Sequence, residues 1–113
     1  MLARPNRLNS SRDIMRVLRT GRRATVGPFV VYSLASRSKI PRVTVVISKK
    51  VDKRAVVRNR CRRRVRESFR EFLPHLKPSF DILVYIRQDI RQVEWKKIQQ
   101  DLRQGCEKIG VWQ

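Results

Sequence analysis

Between Lys49 and Arg70 the chain reads KKVDKRAVVRNRCRRRVRESFR, eleven cations in 22 residues against only Asp52 and Glu67. Seven of the eleven are arginines from Arg58 onward. A guanidinium offers phosphate a planar fork of N–H donors, where an ammonium offers a point charge. Set on a helix at about 100° per residue, residues 58–72 divide into two arcs. Cys61, Val65, Ser68, Phe69 and Phe72 form an apolar stripe. Asn59, Arg60, Arg62, Arg63, Arg64, Arg66 and Arg70 occupy the rest. Glu67 is spaced to pair with Arg63 at i, i+4. A solvated helix ordinarily mixes glutamate with lysine, because like charges one turn apart repel. A face this uniform calls for an anion to neutralise it, with binding that collapses as salt rises.

Residue types for protein-borne hydrolysis are sparse. His75 is the single histidine and has no carboxylate spaced to orient it. The five Asp and four Glu are scattered, mostly beside Arg or Lys, rather than clustered for metal or acid–base work. No Gly-rich phosphate loop occurs. Cys61 and Cys106 are far apart and outside any C-x-x-C pattern, which predicts buried, reduced thiols with no metal. Neither a catalytic nor a metal-ligating residue is expected.

Composition points the same way. The chain of 113 residues carries 28 Lys plus Arg against 9 Asp plus Glu, a net charge of +19, yet is 41% hydrophobic. It can bury one modest core and needs a polyanionic partner. Nucleic acid comes first and an anionic membrane surface second. Major-groove readers expose Asn, Gln or Ser to base edges; an outward face that is almost all arginine suits the backbone of a folded RNA, and no DNA partner is expected. No apolar run approaches the ~20 residues that span a bilayer, and the N-terminus lacks an apolar signal core, so a cytoplasmic location without membrane contact is expected.

The positioning elements follow from local pattern. Residues 1–9 read as a basic N-terminal extension that hugs a surface. Ser10 or Ser11 caps a helix over 11–20, with Ile14, Val17 and Leu18 recurring on one side. Phe29 to Ala35 and Arg42 to Ser48 read as strands and as hairpin partners. A basic connection, 49–55, leads into the arginine helix, which Pro74 and Pro78 prevent from continuing. Phe80 to Ile86 is a third strand. A last helix spans about 93–109, with Trp95, Ile98, Leu102 and Cys106 on a stripe. Gly105, inside it, costs ~1 kcal/mol relative to alanine. The expected fold is one α+β domain over 1–113, ordered α-β-β-α-β-α around a small sheet.

Arg58-Asn59-Arg60-Cys61-Arg62-Arg63-Arg64-Val65-Arg66-Glu67 resembles the signature helix of the bacterial ribonuclease P protein family, R-N-R-x-[KR]-R-x-x-R-E. Ser48-Lys49-Lys50, the early Asn6-Arg7-Leu8, the strand with Phe29, Val30 and Tyr32, and the F-D-[IV]-[LV]-V segment at 80–84 are similar to that family too, so the resemblance covers almost the whole chain. It implies a left-handed β-α-β crossover around the arginine helix, against the usual right-handed rule. It also implies the protein subunit of a tRNA 5′-processing endoribonuclease whose RNA performs the hydrolysis, with Mg²⁺ held mainly by that RNA. The implied RNA-binding residues are Arg58, Asn59, Arg60, Arg62, Arg63 and Arg66; Lys49, Lys50, Lys53, Arg54 and Arg70 flank them in the same basic stretch. A cleft between the first helix and the sheet would take the single-stranded 5′ leader of precursor tRNA on Ile14, Leu18, Phe29 and Tyr32. The chain departs from the family at Ile14 and Leu18, where phenylalanines are common, so apolar contact rather than ring stacking is expected there. Two other readings share the charge: a structural RNA-binding protein of the ribosomal kind, and a membrane-active cationic peptide. A leader groove at Tyr32 would separate the first from the family reading, and regular core-forming strands speak against the second.

Overall fold

The computed structural model describes residues 4–113; residues 1–3 of the expected N-terminal extension lie outside the described residues. Three helices, α1 (Ser11–Thr20), α2 (Ala55–Phe72) and α3 (Trp95–Lys108), pack on a four-stranded sheet made of β1 (Arg22–Val26), β2 (Phe29–Ala35), β3 (Arg42–Ile47) and β4 (Phe80–Ile86). The result is one α+β domain. The strand order is β1-β2-β4-β3.

The sheet differs in two respects from what local sequence pattern predicts. The strand β1 was not anticipated, so the order is α-β-β-β-α-β-α. Its sequence, RRATV, buries only Val26, and two arginines on an edge strand leave little apolar alternation to read. Nor are β2 and β3 hairpin partners. Each pairs with β4, β2 antiparallel and β3 parallel. The reason lies in β4, where Asp81, Ile82, Leu83 and Val84 are all buried. A strand apolar on both faces belongs in the middle of a sheet. The six residues between β2 and β3 can extend about 20 Å, enough to cross the roughly 10 Å between strands two places apart. The parallel β3–β4 pair is joined through α2, which makes the β-α-β crossover.

The sheet separates two apolar layers. On one face Phe29, Val31, Val43, Val45, Ile47, Ile82, Val84 and Ile86 meet the stripes of α2 and α3. On the other face a smaller cluster of Leu8, Val17 and Leu83 is ringed by partly buried Ile14, Leu18, Tyr32, Leu34, Val46 and Tyr85. Helix α1 is started by Ser10, whose hydroxyl accepts from the Asp13 amide, one of the donors a helix start leaves unpaired. It is tied to the sheet by Arg42, which donates to the fully buried Asp81 through two 2.8 Å bonds and reaches Asp13 at 3.5 Å.

The N-terminal segment closes the β3 edge. Asn6 donates to the Pro41 carbonyl, Leu8 N–H to Val43, and Arg7 bridges Val43. Both cysteines are buried free thiols, and burial pushes Cys106 up to about 12. The turn Gly27-Pro28 joins β1 to β2 with Gly27 at φ 55°, a conformation that favours glycine. Gly105 also has a packing reason: an added Cβ would lie 2.8 Å from Val31 Cγ2.

This contact generates a test. In an open helix Gly105→Ala would stabilise by up to about 1 kcal/mol. Here the methyl meets a buried β-branched side chain, and overpacking costs about 1–3 kcal/mol. Gly105→Ala is expected to lower the stability measured by urea unfolding, and to cost less in a Val31→Ala background, where the added methyl has room.

Candidate nucleic-acid interface

The stripe of α2 is buried as its spacing requires, with Val57, Cys61, Val65, Ser68, Phe69 and Phe72 against the sheet. The opposite side exposes Asn59, Arg60, Arg63 and Arg70 and leaves Arg62 and Arg66 half-buried. Lys49, Lys50, Lys53 and Arg54 are exposed in the segment that leads into the helix, Arg54 at its N-cap. The structure thus brings the basic-stretch residues onto one side of α2 and its entry loop.

The arginines are not equivalent. Arg58 donates to the backbone carbonyls of Asp52 and Lys53, at 3.0 and 2.8 Å. Arg64 donates to those of Ile90 and Arg91. Both guanidiniums pin loops onto the helix. Arg62 donates to the Asn59 side chain. The acid Glu67 pairs with Arg70 at 3.9 Å and not with Arg63; i, i+3 was the spacing used. In the entry loop Asp52 accepts from the Arg54 guanidinium and amide, which holds its carboxyl down to about 2.

Arg66 stands one helical turn from Arg62, Arg63 and Arg70. Its guanidinium is lowered from its ordinary value, first by burial and then by the charges of Arg62 and Arg7. It lines a small concavity of about 150 Å³ with Arg7, Leu8, Ile14 and Thr44. Because Ile14 belongs to α1, this concavity joins the arginine side of α2 to the α1 side of the sheet across the β3 edge.

On that α1 side the floor is built by strand alternation. Tyr32 and Leu83, then Val30, Tyr85 and Val46, stand in adjacent cross-strand rows, and residues paired across strands share a face. Tyr32 and Tyr85 are half-buried, as are Ile14 and Leu18 on the helix beside them. Arg23 pairs with Tyr32 from β1 and is exposed. Phe29 is a correction to the expected cleft. It is fully buried on the opposite face, with α2 and α3, since an odd separation of three along a strand turns it away from Tyr32. Sequence reasoning missed Tyr85 and Arg23. The period of two in FDILVYI, once Leu83 is assigned to the α1 face, places Tyr85 beside it.

Carboxylates do not gather here. Among the described residues no three of His, Cys, Asp or Glu converge to hold a metal ion. Asp52, Asp81 and Asp89 are each taken by an arginine, so these donors do not fit a protein-held cation. His75 stacks on Trp112 at the far end of α2, ring centroids 5.1 Å apart.

Comparison with known proteins gives one consistent match. The family profile for ribonuclease P matches residues 2–110. The ribonuclease P protein component of a Cyanothece strain is 32% identical, over 92% of each chain. That of Herpetosiphon aurantiacus is 34% identical, over 98% of this chain and 89% of its own. The solved structure of the Staphylococcus aureus RNase P protein superimposes with a TM-score of 0.83 at 28% identity, covering 96% of this chain and 98% of its own.

The repulsion around Arg66 generates a prediction that separates stability from binding. Each like-charge pair one turn apart costs about 0.2–0.5 kcal/mol. Arg66→Met keeps the stem and removes the charge. It is expected to leave the melting temperature of the free protein unchanged or raised, while weakening its binding to RNA. A loss of both would mean that Arg66 is held by favourable contacts within the protein.

Proposed function

The chain belongs to the ribonuclease P protein family, and from that membership we propose that it is the protein subunit of a ribonucleoprotein that trims the 5′ ends of precursor tRNAs. Family membership carries the general role in an endoribonuclease complex of tRNA processing. The finer reading is that the arginine side of α2, with Lys49, Lys50, Lys53 and Arg54, binds the catalytic RNA. The groove of α1 against Tyr32, Leu34, Val46 and Tyr85 binds the single-stranded leader.

The observation that carries this reading is the junction at the β3 edge, where Arg66 and Ile14 line one concavity. A single strand leaving an RNA bound at α2 would reach the tyrosine floor without crossing the body of the domain. Unstacked bases stack on aromatic faces with little demand on sequence, worth about 1–3 kcal/mol each. Two half-buried tyrosines suit leaders of varied sequence, and Arg23 beside Tyr32 suits their phosphates. Leu18 and Ile14 add apolar contact.

On this reading the chemistry belongs to the RNA, together with Mg²⁺ held mainly by RNA phosphates. The protein's part is to position and to screen. A net charge of +19 brought beside two polyanions lowers their mutual repulsion and replaces condensed counterions. The particle would act in the cytoplasm, with no membrane or DNA partner.

The groove is tested by Tyr32→Ala in a holoenzyme reconstituted with a bacterial ribonuclease P RNA. Affinity for precursor tRNA is expected to fall by at least about fivefold, the scale of 1 kcal/mol, while affinity for mature tRNA is unchanged. Equal losses for both tRNAs would remove the leader from this groove.

A further inference from the structure

The loop that follows β4 repeats the device found before α2. In Asp52-Lys53-Arg54 the aspartate accepts from the amide of the arginine two residues on, at 2.8 Å, and pairs with its guanidinium at 2.9 Å. In Asp89-Ile90-Arg91 the corresponding distances are 3.0 and 2.8 Å. Each loop is pinned by one α2 arginine through two backbone carbonyls, Arg58 for the first and Arg64 for the second. Arg54 lies in the basic stretch and its counterpart Arg91 does not.

The second loop and the helix enclose a concavity of about 400 Å³, lined by Arg60, Arg63, Arg64, Arg91 and Gln92. Four arginines line it, and of these Arg91 is paired with Asp89, which also accepts from the Cys61 thiol at 3.5 Å. The carbonyl partners of Arg64 neutralise no charge. Among the described residues neither Arg60 nor Arg63 forms an ion pair within 4 Å of a carboxylate, Glu67 pairing instead with Arg70 and acting on Arg63 only at longer range. The concavity therefore keeps a surplus of positive charge, with the Arg64 and Arg91 forks fixed at the loop and Arg60 and Arg63 left to meet an anion, the arrangement that suits a phosphodiester.

Resting on the reading that the arginine side of α2 meets RNA, we propose that the Asp89–Gln92 loop is the second wall of a phosphodiester-binding pocket. Arg91 and Gln92 supply contacts beside Arg60 and Arg63, and Arg64 is the positioning residue that holds the loop to the helix. The RNA backbone is thereby gripped from two elements, α2 and the β4–α3 loop, which fixes the rotation of the helix against it.

The test uses the full-length protein and a transcript of a bacterial ribonuclease P RNA, with affinity measured across a salt series. Lys108→Ala, at the other end of α3, controls for loss of one charge anywhere. Arg91→Ala is expected to weaken binding about five- to tenfold and to lower the salt slope by about one. Arg60→Ala with Arg91→Ala should cost less than the product of the single losses, because both grip one phosphate. Arg64→Lys keeps the charge and loses the fork; it should weaken binding about as much as Arg91→Ala and add nothing to it. Gln92→Ala, expected to cost about two- to threefold, covers the case in which Arg91→Ala loosens the loop. Arg91→Ala and Gln92→Ala both matching the Lys108→Ala control, while Arg60→Ala and Arg63→Ala still weaken binding, would overturn the pocket alone. All four matching the control would overturn the arginine side as the RNA surface, and the pocket with it.

Discussion

Seven arginines and two glutamates share the 18 residues of α2, and the rest of the structure depends on how that repulsion is borne. Six arginine pairs stand at i, i+3 or i, i+4, from Arg58–Arg62 to Arg66–Arg70. At about 0.2–0.5 kcal/mol each they oppose the helix by some 1–3 kcal/mol. The buried stripe decides the outcome. Val57, Val65, Phe69 and Phe72 are almost wholly removed from water, and at roughly 1.5–3 kcal/mol per side chain they outweigh the repulsion several-fold. The helix is held by its apolar side so that its other side can remain uncompensated.

That side is organised by division of labour. Arg58 and Arg64 look like members of one basic run, yet they spend their donors on loop carbonyls. They convert two connections into fixed walls beside the helix. Among the described residues Arg60, Arg63 and Arg66 form no ion pair with a carboxylate within 4 Å. The sheet adds the second half of the arrangement. Placing β4 in the centre covers both of its faces, with α2 and α3 on one and α1 on the other. The tyrosine floor and the arginine side are thus separated by a core, and they meet around the β3 edge, where Arg7, Arg66 and Ile14 line one concavity.

Much of this was legible in the chain. Helix α1 and strands β2 and β4 fall where alternation and capping put them, because their signals are local. The arginine helix was legible for the same reason, one stripe of period 3.6 against a polar remainder. What was not legible is long-range. Pairing of β2 with β3 is the default for neighbouring strands, and only the doubly apolar run at Ile82, Leu83 and Val84 argues for β4 between them. Phe29 joins an aromatic-rich strand but faces away from Tyr32, a matter of parity rather than residue type. The struts Arg58 and Arg64 carry no mark that separates them from their neighbours; their partners lie in loops up to 27 residues distant. Gly105 reads as a weakness in a helix until Val31 is placed against it.

The central claim is that this chain assists an RNA enzyme by bringing positive charge and a leader groove to two polyanions. The most direct measurement is cleavage of precursor tRNA by a bacterial ribonuclease P RNA, with and without this protein, over a range of Mg²⁺ concentrations. Strong stimulation at low Mg²⁺ that fades as Mg²⁺ rises, with the cut at the mature 5′ end, is the predicted result. Stimulation of equal size at every Mg²⁺ concentration would contradict the screening role, and no stimulation beside tight, salt-sensitive RNA binding would leave the chain an RNA-binding protein without this function.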